Sequence, residues 1–83
     1  MEYIIDIAKT DDVNLHEYLK EVFGFRDGYG MNLDALNDMV SEISKVKIRV
    51  INAEIASEYQ RKMINILIRN ALENDSLSLE IVM

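Results

Sequence analysis

Two carboxylates stand four residues apart, Asp34 and Asp38, inside the run Tyr29-Gly30-Met31-Asn32-Leu33-Asp34-Ala35-Leu36-Asn37-Asp38. On a helix that spacing puts them one turn apart on the same side. Like charges so placed cost an isolated helix about 0.2–0.5 kcal/mol. Asp34 sits in the first turn, where the helix dipole favours a negative group; Asp38 lies a turn further in and gains much less. A fold alone does not ask for this pair, whereas a positively charged partner does. Paired carboxylates can also cleave a glycosidic bond by acid–base catalysis. That chemistry needs a pocket and further polar groups, and the neighbouring residues supply no such constellation.

The remaining reactive residue types point to little chemistry. His16 is the sole histidine, so no second imidazole exists to build a metal site. On a helix beside Lys20 it reads as a surface or boundary residue. Gly28-Tyr29-Gly30 lacks the third glycine of a dinucleotide fingerprint and the lysine and Ser/Thr of a phosphate-binding loop. It reads instead as a turn needing permissive backbone angles. The absence of cysteine removes disulfides, thiolate metal sites and a cysteine nucleophile, and fits a reducing cytosol. No cofactor is expected, and the chain is not expected to be an enzyme.

Charge narrows the partner. The formal net charge is −6, which repels a phosphate backbone and steers a basic protein inward. Lys45, Lys47 and Arg49 read as the wet side of a strand, too few to argue for RNA. No stretch approaches the ~18–20 apolar residues of a membrane span. The start Met1-Glu2-Tyr3-Ile4-Ile5-Asp6 lacks the basic residues of a signal peptide, so a cytoplasmic protein is expected.

The elements that must position these residues follow from periodicity. Glu2–Ile7 reads as a strand. Asn14 reads as an N-cap with Glu17 as its capping-box partner, opening a helix that has Leu15, Tyr18, Leu19, Val22 and Phe23 on one side and stops at Gly24. Phe25 to Gly30 is a loop with a strong Asp27-Gly28 turn. Asn32 caps a second helix with Leu33, Leu36, Met39, Val40 and Ile43 on one face. Asp34, Asn37, Asp38, Ser41 and Glu42 fall on the other.

Val46–Ile51 alternates as a half-covered strand. From Asn52 to about Asn74 the chain is helical, with a possible separate short helix before Arg61. Ile55, Tyr59, Met63, Leu67 and Ala71 form its stripe, flanked by Ile64, Ile68 and Leu72; Ile66 lies outside it. Leu77–Met83 reads as a last strand. Long crossovers between strands favour parallel pairing. The expected architecture is an α/β fold: a small three-stranded parallel sheet packed against three to four helices, residues 1–83 forming one domain.

From Asn14 to Val40 the chain resembles the barstar family of intracellular ribonuclease inhibitors. The matching residues are Leu15-His16, Leu19-Lys20, Tyr29-Gly30, the run Asn32-Leu33-Asp34-Ala35-Leu36, and Asp38. The resemblance implies a barstar-like fold and a protein that plugs the active site of a small basic ribonuclease with the second helix and the preceding loop. Asp38 would take the place of the RNA phosphate among the enzyme's cations, and Asp34 would contact the nucleotide-binding side. Tyr29, Gly30 and Asn32 would shape the loop, with Asn32 both capping the helix and touching the partner.

Three positions depart from the best-known member. Gly28 replaces a second aromatic, and Asn37 replaces a tryptophan and is a variable contact. The acidic group from that member's last helix has Arg69 and Glu73 as its nearest counterparts. The expected partner is thus a small basic ribonuclease, bound by a chain that is monomeric when free, without direct nucleic-acid or membrane contact. The alternative is a module of the same fold for another cationic partner, a non-ribonuclease toxin or a regulator.

Overall fold

A computed structural model describes all of residues 1–83. The order is β1 (Glu2–Asp6), α1 (Leu15–Phe23), α2 (Leu33–Ser41), β2 (Val46–Ile51), α3 (Glu58–Glu73) and β3 (Leu77–Ile81). Short 3₁₀ turns at Ile7–Lys9 and Ala53–Ile55 follow β1 and β2. The strands pair in parallel in the order β1-β2-β3, as the long crossovers require. The short helix expected before Arg61 is the second of these 3₁₀ turns, and the true helix begins at Glu58.

Register explains the two faces of the sheet. Ile48 pairs with Tyr3 on one side and Leu79 on the other, and Val50 pairs likewise with Ile5 and Ile81. These side chains share the covered face, where Ile5, Ile48 and Val50 are wholly buried. Ile4, Arg49 and Glu80 share the other face, as do Glu2, Lys47 and Ser78. That face is half-buried to exposed, which fits the alternation of basic and apolar residues in β2. An ion pair closes across it, Arg49 Nε to the Glu80 carboxylate at 2.9 Å.

The helices lie over the covered face. α1 packs on β1, α3 packs on β3, and α2 packs chiefly on α3. Leu15, Leu19, Leu36, Val40, Met63 and Leu67 are all fully enclosed and meet the sheet residues in one core. α2 is therefore an outer element with one buried stripe, Leu36 and Val40, and a free opposite side. No helix is long and apolar enough to cross a membrane.

Two expectations about helix ends and stripes are corrected. Asn14 precedes α1 but does not cap it. Its Oδ1 accepts instead from the Asp11 N–H and the Thr10 hydroxyl, each at 2.7 Å. The preceding turn thus consumes the oxygen that a capping box with Glu17 would use. The capping box is found at α3: the Gln60 N–H donates to Ser57 Oγ, and the Ser57 N–H donates to Gln60 Oε1. Gln60 is buried, and its Nε2 also donates to the Thr10 carbonyl.

The α3 stripe is broader and rotated. Ile66 and Asn70 are buried because α3 packs on α2 as well as on β3. Ile55 and Leu72, expected within or beside the stripe, are exposed. Ile55 belongs to the 3₁₀ turn rather than to the helix, and Leu72 lies in the last turn.

The capping geometry sets an expectation. Ser57→Ala lowers the unfolding free energy by about 1 kcal/mol, read as a lower urea midpoint at unchanged slope. Glu17→Ala, which breaks no cap, stays within about 0.5 kcal/mol of the parent.

Candidate functional site

The loop before α2 is held from several directions. Asn32 has extended backbone angles, and its Oδ1 accepts from the Ala35 N–H at 2.8 Å, satisfying an orphan donor of the first turn. Its Nδ2 donates back to the Gly30 carbonyl at 3.2 Å. Gly30 is exposed and sits close to the helix, since a Cβ there would come to 3.1 Å from the Ala35 Cβ and would need Ala35 to give by a few tenths of an ångström. Gly28 has φ +101°, a region that glycine enters freely. Met31, between Gly30 and the cap, holds φ +56°, which costs an L-residue about 1–2 kcal/mol. Its partly buried side chain packs against the core and helps to hold it there.

Tyr29 anchors this loop from inside. Its ring is buried, with Phe25 at 5.0 Å and His16 at 5.9 Å between centroids. The Tyr29 hydroxyl meets His16 Nδ1 at 2.8 Å, and the Tyr59 hydroxyl meets His16 Nε2 at 2.7 Å. One imidazole thus ties α1 to the loop and to α3. A neutral ring satisfies both phenols, donating to one and accepting from the other. His16 is buried, which corrects the expectation of a surface or boundary residue. Its position three residues before Leu19 and seven before Phe23, on the stripe that faces the core, is the signal that identifies it.

The six candidate residues fall into two groups. Tyr29 and Asn32 spend their side chains on the fold, as does Asn37, which is half-buried and accepts from Asn70 Nδ2 at 2.9 Å. That bond clips α2 to α3, and Asn70 also donates to the Ile66 carbonyl of its own helix. Asp34 and Asp38 are exposed and spend nothing. The chain's ion pairs are Lys20–Asp27 and Arg49–Glu80, and neither carboxylate on α2 takes part. Gly30 presents bare backbone beside them.

The surface around these carboxylates has relief. A groove of about 530 Å³ lies between the loop and α2, lined by Arg26, Asp27, Gly28, Met39 and Glu42 among others. A second, of about 320 Å³, lies between α2 and α3 and includes Asp34 and Asn37 with Lys62 and Arg69. Asp38 lines neither and stands on the ridge between them. Of the two α3 counterparts, Arg69 lines this groove and Glu73 does not. A partner can straddle the ridge and place cations around Asp38 with hydrogen bonds of the charge-assisted kind.

Titration of the clasp gives a signed expectation. Burial holds the His16 imidazole below its ordinary value of 6.5. The folded state therefore binds its proton less readily than the unfolded chain does. The stabilisation is fully present above about pH 6.5 and is lost as pH falls through the folded-state value. Burial first, and Tyr59 second, push the Tyr29 phenol up to about 12, so that contribution is lost only as pH rises past about 10 towards 12. Urea unfolding at about pH 7.5 and about pH 5 should show a lower midpoint at the acid end. His16→Gln should flatten that difference; an undiminished slope in the variant would rule out the clasp as its source.

Comparison with known proteins adds an independent finding. No curated protein matches the chain. The family model described as Barstar (barnase inhibitor) matches residues 3–73. That span runs from β1 to the end of α3 and includes the loop, the capped helix and both free carboxylates. With that match over most of its length, and with the parallel three-stranded sheet beneath it, the chain belongs to the barstar family.

Proposed function

We propose that residues 1–83 act as one barstar-like domain, an intracellular inhibitor that occupies the active site of a small basic ribonuclease. Asp38 is the phosphate mimic, the group around which the enzyme's cations gather. Asp34 is the second charge. Gly30 and Asn32 shape the surface that meets the enzyme, while Tyr29 fixes the loop from behind and Asn37 fixes the helix against α3. The inhibitor binds one-to-one as a monomer, performs no chemistry and needs no cofactor.

The observation that supports this most directly is the freedom of the two carboxylates on a helix that is otherwise fully engaged. An exposed anion whose helix is capped, clipped and packed is already ordered, so binding loses little conformational entropy. A chain of net charge −6 also attracts a basic enzyme from a distance, an effect that salt screens. The departures at Gly28 and Asn37 bear on which ribonuclease is bound. Asn37 offers no large aromatic to the partner, so the charged contacts carry more of the affinity.

A ribonuclease assay titrated with this protein tests the reading. Asp38→Ala should leave the urea midpoint nearly unchanged and weaken inhibition by about 2–5 kcal/mol, at least about thirtyfold in Kd, the general cost of truncating one partner of a buried charge pair, a kind of contact for which barnase–barstar is itself a reference system. Inhibition by the variant equal to that by the parent would remove Asp38 from its assigned role. Salt-sensitive binding to a basic protein without any effect on RNA cleavage would favour the module for another cationic partner.

A further inference from the structure

The partner-facing surface is not uniformly acidic. Across the α2–α3 groove from Asp34 stand Lys62 and Arg69, with Asn65 between them on α3. Residues 62 and 69 are seven apart, two turns along one side of the helix. Both are exposed, and neither has an ion-pair or hydrogen-bond partner within the chain. Asp34 and the two cations share a groove without closing an ion pair. Each remains available to an outside group. The surface thus has an acidic ridge at Asp38 and a basic rim on α3.

A partner that offers only positive charge meets attraction at the ridge and repulsion at the rim. Like charges brought together at an interface reject a partner as effectively as good contacts select one. We propose that Lys62 and Arg69 are specificity-determining residues, selecting a ribonuclease whose cationic site is bordered by a carboxylate that reaches the α2–α3 groove. This rests on the ribonuclease-inhibitor reading and names the chemistry of the enzyme that reading requires. Arg69 is the better fitted of the two, because its planar guanidinium takes a carboxylate in two parallel hydrogen bonds. The rival account is that the cations merely dilute the charge of Asp34.

Barnase serves as the probe, with binding measured at low salt and again at about 0.5 M, where exposed charges are screened. The doubly neutralised Lys62→Ala/Arg69→Ala inhibitor should bind barnase about tenfold tighter than the parent at low salt, because rim repulsion is removed. A panel of barnase variants, each with one basic residue around the active site replaced by Glu, is then titrated against the parent and against Arg69→Ala. At least one Glu variant should bind the parent more tightly than its neighbours in the panel do, and lose that gain against Arg69→Ala.

If no panel member couples favourably to Arg69, or if the neutralised inhibitor binds barnase no better than the parent, the specificity role is overturned. Asp38→Ala in each background separates the two levels. Barnase binding that depends on Asp38 leaves the inhibitor reading standing even where Arg69 shows no coupling. No binding of barnase or of any Glu variant by the parent and none by the neutralised inhibitor would overturn the specificity role, whereas the inhibitor reading is decided separately by the ribonuclease assay.

Discussion

A single imidazole between two phenols holds together the part of this molecule proposed for recognition. His16 belongs to α1, Tyr29 to the loop and Tyr59 to α3, and the three meet through hydrogen bonds of 2.8 and 2.7 Å. Besides this clasp, Tyr29 packs on Phe25, which stacks on Phe23, and Met31 packs against the core. Buried polar groups that are fully satisfied fix one arrangement, because every alternative leaves a donor or acceptor unpaired. The clasp thus sets where Gly30 and Asn32 lie, and Asn32 sets where α2 begins.

Magnitudes decide why α2 can carry unpaired acids. The repulsion between Asp34 and Asp38 amounts to a few tenths of a kcal/mol. Each fully buried apolar side chain on the other face contributes about 1.5–3 kcal/mol, and both Leu36 and Val40 are wholly enclosed. The Asn32 cap adds about 1 kcal/mol. The helix tolerates its acids because the core and the cap outweigh them several times over. No basic residue in its last turn relieves them.

Distribution of charge separates the proposed binding surface from the rest of the fold. Arg49 is taken up by Glu80 on the open face of the sheet, and Lys20 by Asp27 beside the loop. The charges around the α2–α3 groove are left without partners of either sign. In a small protein of net charge −6, cations kept unpaired beside an anion support the proposed binding role of this surface. The matching family model is one described as an inhibitor of barnase, which is the kind of target proposed for this surface.

Local pattern alone was enough for the strands, the helices and the parallel sheet, since alternation in β2, the glycine after α1 and the Asn32 cap are signals carried within a few residues. It also placed Asp34 and Asp38 outside the core. Pattern failed where one side chain had competing partners. The oxygen of Asn14 went to its own preceding turn, and the capping box appeared at Ser57 and Gln60 instead. His16 looked like a boundary residue because its two phenol partners lie thirteen and forty-three residues away.

Only the packing of α3 on both α2 and β3 buried Ile66 and Asn70, engaged Asn37, and brought Lys62 and Arg69 beside Asp34. Periodicity states which side of a helix is apolar. Which neighbour that side meets, and which charges come to face each other across the seam, depends on contacts between segments far apart in the chain.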